Sequence, residues 1–412
     1  MEWYQYAAVC AVACATTIAL VPAVRVLAFK LDAVDYPSER RVNKKPMARM
    51  GGLAMFGGMA CALLFLWVCV RFFGWKDPFN TVFGSMIHFP GVFLGIALMF
   101  FVGFLDDVKD LKPIIKLFGQ ILAASIVAAC GLVISSIHNP FGEGYIFFGI
   151  WGYPLTVFYL IAFTNVINLI DGLDGLASGI TVITTATMFV FALLTGRFEA
   201  AIISIALIGA CMGFLRYNFH PASIFMGDSG SHLLGFTLGI VSLLATTRSV
   251  LFVSLLLPII AAGVPIIDTA AAIIRRVRGH QPIQQADKGH IHHRLLKEGF
   301  SQRTTVLIMW GWTLVLAVCA IFITEMDNEW RIPFIVLAIG VSVFFVFKLN
   351  LLTPTLLHHY NPRPEIGAKR ARQEFNRASD DLASRRNMTS TDAAEEPGDN
   401  PSATRDASYP EE

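Results

Sequence analysis

Long apolar segments recur along this chain and alternate with short polar loops. They include AAVCAVACATTIALVPAV near the start and GVFLGIALMFFVGFL further on. A helix needs about 20 mostly apolar residues to cross the hydrocarbon core of a bilayer. The candidate spans are residues 7–29, 50–73, 90–105, 114–137, 150–166, 178–195, 199–215, 232–247, 249–274, 304–324 and 332–351. The pattern predicts an all-α, polytopic integral membrane protein with about eleven transmembrane helices.

Composition agrees with this prediction. Hydrophobic residues make up 55% of the chain and charged residues 15%, whereas soluble domains carry about 25% charged residues. The first apolar segment has no basic start and no small-residue cleavage site, so we interpret it as a retained span and not as a signal peptide. The seven cysteines all lie inside apolar segments without paired spacing, which favours packing between helices over a disulfide or zinc framework.

Basic residues gather in the loops that follow the first, third and ninth predicted spans. They are Lys30, Arg40, Arg41, Lys44, Lys45 and Arg49; then Lys109, Lys112 and Lys116; then Arg275, Arg276, Arg278, Lys288, Arg294, Lys297 and Arg303. Such residues mark the cytoplasmic side of a membrane protein. The pattern predicts a multi-pass protein of the cytoplasmic membrane with its N-terminus outside and its C-terminus inside.

The chain divides into a transmembrane domain over residues 1–352 and a polar tail over residues 361–412. The tail is rich in Ser, Asp, Glu, Arg and Pro and has almost no apolar clusters. Such a composition buries too little apolar surface to fold alone. We expect a disordered cytoplasmic extension.

The polar clusters of this apolar chain all fall on the predicted cytoplasmic face. One cluster contains the adjacent carboxylates Asp106 and Asp107, and the segment NLIDGLDGLASG contains a second cluster. The residues concerned are Asp106, Asp107, Asn168, Asp171, Asp174, Asn218, Asp228, His290, His292 and His293. Ionisable groups at such depth are costly and indicate function.

The residue types indicate the chemistry. The carboxylates are hard oxygen ligands that suit Mg²⁺, with Mn²⁺ as the alternative, and Mg²⁺ commonly completes its shell with water and substrate phosphates. Lys116, Arg294 and either Lys44 or Lys45 are suitable partners for phosphate oxygens. A spare carboxylate could take a proton from an attacking oxygen. At a membrane surface this set predicts phosphoryl transfer to a lipid.

Some roles stay open. The HIHH segment fits phosphate or sugar contact better than a zinc site or a solvated loop, because Arg294 and Lys288 lie beside it. Phe225 fits stacking on a base and ordinary interfacial packing equally well. Lys44 and Lys45 fit topology signalling at least as well as ligand binding.

Five motifs appear in order: RMGG (49–52), DD (106–107) with KLFGQ (116–120), NLIDGLDGLASG (168–179), FMGDSGSHLLGF (225–236) and GVPIIDTAAAIIRRVRGHQPIQQADKGHIHHRLL (263–296). Together they resemble the polyprenyl-phosphate N-acetylhexosamine-1-phosphate transferases, glycosyltransferase family 4. The resemblance covers about residues 1–352. It implies a Mg²⁺-dependent reaction of a UDP-N-acetylhexosamine with polyprenyl phosphate that gives polyprenyl-pyrophosphoryl-sugar and UMP. No nucleic acid partner is expected, and a homodimer is left open.

The resemblance also implies roles. Asp228 would hold the metal, while Asp106 and Asp107 would position or deprotonate the lipid phosphate. The nucleotide pocket would be lined by Asn168, Asp171, Asp174, Asn218 and Phe225, and the phosphate or sugar contacted by Lys116, His290, His292, His293 and Arg294. The HIHHR form favours UDP-N-acetylglucosamine over the UDP-muramoyl-pentapeptide donor. Glucosaminyl relatives often have His where this chain has Asn43, which leaves the role of the first loop open.

Three rival classes fit less well. DDVKD resembles the DDxxD motif of prenyltransferases, but a suitable second aspartate-rich motif is lacking. DGLDGLASG resembles CDP-alcohol phosphotransferases without their downstream aspartates. An ion-coupled transporter would hold its carboxylates near the bilayer midplane, whereas these acids cluster at helix ends.

Overall fold

The computed structural model describes residues 1–36, 46–79, 87–138, 144–246, 253–279, 289–326 and 328–353. Several sequence-based predictions fall outside these ranges: those for Asn43, Lys44, Lys45 and Lys288, and the disorder of residues 361–412.

Helices dominate the described residues. The thirteen helices found there are α1 (Trp3–Lys30), α2 (Gly51–Phe72), α3 (Phe89–Lys109), α4 (Pro113–Ala129), α5 (Gly152–Ile170), α6 (Leu176–Leu194), α7 (Phe198–Asn218), α8 (Gly227–Thr246), α9 (Val253–Ala261), α10 (Gly263–Arg278), α11 (Ile291–Lys297), α12 (Gln302–Glu325) and α13 (Asn328–Lys348). Two antiparallel pairs add short strands, β1 (Val34–Asp35) with β2 (Met47–Ala48) and β3 (Ser136–His138) with β4 (Tyr145–Phe147). The predicted all-α class is confirmed.

Eight of these helices are long and apolar enough to cross a membrane, and α4 is a shorter apolar helix. Hydrogen bonds bring chain segments near helix ends together on one side, which we call the polar side. They join Arg49 to Ala33, Asp228 to Asp107, and Arg303 to His220. The eight candidate spans and the shorter helix α4 are fewer than the eleven predicted, since neither α8 nor the α9–α10 pair is among them. The multi-pass architecture itself agrees with the prediction.

Two predicted spans differ from the structure. The segment predicted as 114–137 ends as a helix at Ala129, because Gly131 takes a positive φ of 94° and the chain continues into β3. The segment predicted as 249–274 is two helices, α9 and α10, with a break at Ala262.

Helix α8 lies at the centre of the bundle and packs against α2, α3, α5, α6 and α7. Small residues allow this close approach, as is common between membrane helices. A Cβ at Gly235 would come within 2.7 Å of the Phe163 carbonyl oxygen, and one at Gly103 within 2.4 Å of the Asp228 carbonyl oxygen. The N-terminus of α8 is therefore fixed against α3 on the polar side.

Candidate active site

The N-terminus of α8 is held by a carboxylate from another helix. The carboxylate of Asp107 on α3 accepts hydrogen bonds from the backbone N–H groups of Asp228 (2.7 Å) and Ser229 (3.0 Å) and from the Ser229 hydroxyl (2.5 Å). These N–H groups have no partner within the helix, and a negative charge is favourable there. A side chain at Gly227, where φ is 72°, would clash with this carboxylate. Asp107 thus positions Asp228.

Asp228 is the meeting point of three helices. Lys116 on α4 donates to one of its carboxylate oxygens at 2.5 Å, and Asn168 on α5 donates to the other at 2.9 Å. Lys116 also lies 3.1 Å from the carboxylate of Asp106, which accepts the Leu111 N–H at 2.8 Å. Two carboxylates and one ammonium group therefore form a connected, partly exposed cluster at the polar side.

The RMGG segment is tied to the same helix end. The N–H groups of Gly51 and Gly52 donate to the carbonyls of Phe225 and Met226, both at 2.9 Å. The Arg49 guanidinium lies 3.4 Å from the Asp107 carboxylate and 3.1 Å from that of Asp110. The site thus contains a cation that the predicted set of residues did not include, and the position of Arg49 in RMGG is the signal that could have identified it.

Asp171 and Asp174, three residues apart, have different surroundings. The Asp174 carboxylate accepts the Ala222 N–H at 3.1 Å and pairs with His220 at 2.9 Å, so it holds the loop after α7. The Asp171 carboxylate makes no hydrogen bond or ion pair with another described residue. Burial, followed by the nearby charges of Asp228, Asp107 and Asp174, raises the pKa of Asp171 to about 7. Asp171 is a carboxylate without charge compensation.

Asn218 is also part of the scaffold. Its side-chain oxygen Oδ1 accepts a hydrogen bond from the Gly175 N–H at 3.0 Å, and its side-chain nitrogen Nδ2 donates to the Ile224 carbonyl at 3.0 Å. Gly175 takes a positive φ of 77° at the start of α6. Asn218 is buried and connects the DGLDG turn to the segment that carries Phe225, which is itself half-buried.

The histidine cluster sits mainly inside the protein. His290 is buried and pairs with Asp268 on α10 at 2.8 Å; Asp268, which the sequence reasoning missed, also accepts the Ile291 N–H. His292 lies directly against Gly172 of the DGLDG turn. Burial, and then the neighbouring His293, lower the pKa of His292 to about 3, so its ring is neutral at physiological pH. Of the three histidines, only His293 is half-exposed.

Arg294 has structural partners. Its guanidinium donates to the carbonyls of Leu349 (3.0 Å), Asn350 (2.7 Å) and Thr353 (2.9 Å), just after α13. The C-terminal carbonyls of a helix are partly negative and favour a cation. The predicted contact with phosphate or sugar stays a prediction; the contacts that the structure shows are with the carbonyls after the last helix.

The predicted residues thus form two groups. The groups that meet on the polar side are Asp106, Lys116, Asn168 and Asp228, with the charge of Asp171 nearby; Phe225 lies three residues before Asp228 in the same segment, and His293 lies against His290 and His292. The groups that build the scaffold behind them are Asp107, Asp174, Asn218, His290, His292 and Arg294.

The donor set also bears on a metal. No group of three or more His, Cys, Asp or Glu side chains with metal-binding geometry occurs within the described residues. A magnesium ion needs only one or two carboxylates when phosphates and water complete its shell. Asp228 and the uncompensated Asp171 are hard oxygen donors of this kind, so the residues fit a Mg²⁺ ion bound together with a phosphorylated substrate.

Known proteins resemble this chain along most of its length. The model of glycosyl transferase family 4 matches residues 89–246. A probable undecaprenyl-phosphate N-acetylglucosaminyl 1-phosphate transferase of Bacillus subtilis is 38% identical over 81% of this chain and 86% of its own. A decaprenyl-phosphate N-acetylglucosaminephosphotransferase of Mycolicibacterium smegmatis is 38% identical over 71% of this chain and 76% of its own.

The muramoyl branch matches as well. A phospho-N-acetylmuramoyl-pentapeptide-transferase of Chloroherpeton thalassium is 30% identical over 75% of this chain and 90% of its own. The extent of these matches, together with the motifs on the polar side, establishes that the chain belongs to glycosyl transferase family 4.

Proposed function

We propose that this protein transfers N-acetylglucosamine 1-phosphate from UDP-N-acetylglucosamine to undecaprenyl phosphate, giving undecaprenyl-pyrophosphoryl-N-acetylglucosamine and UMP. The observation that carries the proposal is the convergence of Asp106, Lys116, Asn168 and Asp228 from four helices at one membrane face. The names of the relatives with 38% identity support the same reaction.

The reaction joins two anions. An oxygen of the lipid phosphate attacks the phosphorus that bears the sugar, the bond from that phosphorus to the bridging oxygen breaks, and UMP leaves with the electron pair. The second pKa of a phosphate monoester is about 6, so much of the acceptor is already deprotonated at neutral pH. The protein's main tasks are therefore alignment of the two phosphates and neutralisation of their charge.

Lys116 is suited to the acceptor phosphate. Its ammonium lies between the carboxylates of Asp106 and Asp228 and is partly exposed. A phosphate that approaches from the membrane would exchange one of these contacts for its own oxygen. Of the two adjacent carboxylates, Asp106 is the better candidate for a proton acceptor, because Asp107 already accepts three hydrogen bonds.

Mg²⁺ would be held by Asp228 and Asp171 and would supply positive charge to the phosphates of the donor. Asn168 fixes one oxygen of the Asp228 carboxylate, and Asp107 fixes its backbone. Phe225 would pack against the uridine base. Cytoplasmic orientation of this side, with the N-terminus outside, follows the distribution of basic residues.

The muramoyl-pentapeptide donor is the alternative, and two observations favour the smaller sugar. Two glucosaminyl relatives, at 38% identity over 71–81% of this chain, share more identity with it than the muramoyl relative at 30%, although another glucosaminyl relative, of Yersinia pestis, shares 27%. His290 and His292 pack inward against α10 and the DGLDG turn, so this part of the site is compact.

The test uses the purified full chain in nanodiscs with undecaprenyl phosphate and Mg²⁺. UMP release is measured with UDP-N-acetylglucosamine and, in parallel, with the muramoyl-pentapeptide donor. We expect turnover with the first donor and at least about tenfold lower kcat/KM with the second, a difference of about 1.4 kcal/mol in transition-state binding. Preference for the pentapeptide would reject the choice of sugar, and no UMP from either donor would reject the reaction.

Asp228→Asn provides the matched control, since it keeps the size of the side chain and one acceptor oxygen. We expect it to insert and to elute as a folded protein, but to have lost Mg²⁺-dependent turnover. Substantial activity of this variant at saturating Mg²⁺ would reject Asp228 as a metal ligand.

A further inference from the structure

A second layer of polar side chains lies one helical turn deeper than Lys116, Asn168 and Asp228. Gln120 follows Lys116 by four residues on α4, His232 follows Asp228 by four on α8, and Asn165 precedes Asn168 by three on α5. Residues at these spacings share a helix face. We call Gln120, Asn165 and His232 the lower layer. Gln120 and His232 are almost fully buried.

The donor and acceptor roles in the lower layer are fixed from Asn165 through Gln120 to His232. Asn165 Nδ2 donates to the Ile161 carbonyl oxygen at 2.8 Å, and a carbonyl can only accept, so the orientation of this amide is fixed. The same nitrogen lies 2.9 Å from Gln120 Oε1, which must therefore accept. Gln120 is thereby oriented with its Nε2 towards His232 and towards Asn165 Oδ1 (3.4 Å).

The direction of these bonds determines the tautomer of His232. Gln120 Nε2 lies 3.0 Å from His232 Nε2. An amide nitrogen only donates, so the ring nitrogen must accept, and the proton of the neutral ring must sit on Nδ1. Nδ1 has no hydrogen-bond partner among the described residues. The acceptor function at Nε2 connects this ring to α4, and the backbone of Asp228, four residues earlier on α8, also acts on the ring.

We propose that His232, held as the Nδ1-protonated tautomer by Gln120 and Asn165, is a positioning residue that fixes Lys116 and Asp228 for phosphoryl transfer. The lower layer joins the same three helices whose next turns carry Lys116, Asn168 and Asp228. The bond between Gln120 and His232 connects α4 to α8. One turn nearer the polar side, the same two helices are connected by the hydrogen bond from Lys116 to the Asp228 carboxylate at 2.5 Å. The catalytic part of this inference rests on the proposed function, whereas the tautomer does not.

The test compares two variants that mimic different ring nitrogens. In His232→Gln, the side-chain oxygen reaches the position of Nε2 and can accept from Gln120. In His232→Asn, the shorter amide reaches only the position of Nδ1 and leaves the Gln120 N–H buried without an acceptor. We expect His232→Gln to keep kcat within about threefold of the wild type and His232→Asn to lose about tenfold or more, with KM for the UDP-sugar unchanged in both.

Equal kcat values for the two variants, at whatever level, overturn the proposal, because they show that an acceptor at Nε2 is not what matters. A rise in the UDP-sugar KM with kcat unchanged also overturns it. Thermal unfolding is recorded for both proteins, so that a variant that does not fold is recognised as such.

A spectroscopic measurement addresses the tautomer without turnover. Full-chain protein labelled with ¹⁵N-histidine is prepared in nanodiscs, and the signal absent from His232→Gln is assigned to His232. We expect a protonated Nδ1 and an unprotonated Nε2. Gln120→Glu should, in its ionised and therefore acceptor-only form, transfer the proton to Nε2, which is followed at high pH.

An Nε2-protonated ring in the wild type overturns the tautomer and the proposal with it. Failure of the wild type to release UMP, with the expected tautomer present, rejects the proposed function and with it the catalytic role of His232. The two failures are therefore distinguishable.

Discussion

The adjacent residues Asp106 and Asp107 should respond differently to the same substitution. Asp107 is fully buried and accepts on both carboxylate oxygens, from Asp228 N–H on one and from the N–H and hydroxyl of Ser229 on the other. In Asp107→Asn one of these oxygens becomes an NH₂ group that faces a donor. At least one buried N–H loses its acceptor, and the charge at the N-terminus of α8 disappears.

The magnitude follows mainly from these two losses, because Arg49, which also pairs with Asp107 at 3.4 Å, is partly exposed and keeps Asp110 as a partner. A buried donor without a partner costs about 1–3 kcal/mol, and a charge at a helix N-terminus contributes about 0.3–2 kcal/mol. Together they amount to about 1–5 kcal/mol. At about 2 °C per kcal/mol for a large domain, we expect Tm to fall by about 2–10 °C for Asp107→Asn, with loss of activity as a consequence.

Asp106→Asn is the matched comparison. The remaining oxygen can still accept the Leu111 N–H, and Lys116 retains Asp228 as a partner. Lys116 is partly exposed and keeps a carboxylate partner in Asp228, so neither charge is left buried and unpaired, and we expect the loss of this pair to cost about 1 kcal/mol. We expect Tm within about 2 °C of the wild type but UMP release at least about tenfold slower.

Both measurements use protein purified in the same detergent, with Tm from intrinsic tryptophan fluorescence and activity from UMP release at saturating substrates. The reasoning is refuted if Asp106→Asn proves the less stable variant, or if Asp107→Asn melts like the wild type and is merely inactive.

Three further predictions concern other parts of the chain. Arg294→Ala should lower Tm, because the carbonyls after α13 lose their donor, and should reduce kcat/KM about equally for both donors; a selective loss for one donor would instead indicate contact with the sugar. Asp171→Asn should raise Tm in EDTA at pH 8 and have little effect near pH 4, because the pKa of Asp171 is raised to about 7 in the fold and the cost of ionising it grows as the pH rises from about 4 to about 7; equal effects at both pH values would contradict this. Truncation after Tyr360 should leave UMP release nearly unchanged, as the composition of the tail indicates; an inactive but well-expressed truncation would show that the tail contributes to catalysis or assembly.

The sequence was sufficient to predict the class of fold and some of the polar groups that meet at one face, namely Asp106, Lys116, Asn168 and Asp228. Apolar segments and basic loops report membrane crossings directly, and helix ends on one side must lie near each other. The division of roles between Asp106 and Asp107 could not be predicted, because adjacent helical residues point about 100° apart and only the packing of α3 on α8 decides which faces the helix end.

Arg294 illustrates a second limit. A cation beside histidines in a polar loop resembles a substrate contact, yet its partners are the carbonyls of residues 349–353, more than fifty positions later. Backbone carbonyls leave no trace in a sequence pattern. The break between α9 and α10 was missed because the apolar composition continues through Ala262, although Gly263 and Pro265 at the start of α10 are a sequence signal for such a break.

The bond between Asp107 and the start of α8 joins positions 121 residues apart, and this separation has a consequence for biosynthesis. At about 5–20 residues per second, a ribosome needs about 6–24 s to make the chain between them. During this interval α3 can already occupy the bilayer while its two terminal carboxylates still lack the partner that α8 brings. Those carboxylates must remain hydrated at the membrane surface until α8 inserts. Maturation of the active site is therefore a late event of membrane integration, and translation that stops before residue 227 leaves a nascent chain whose acidic pair has no helix to cap.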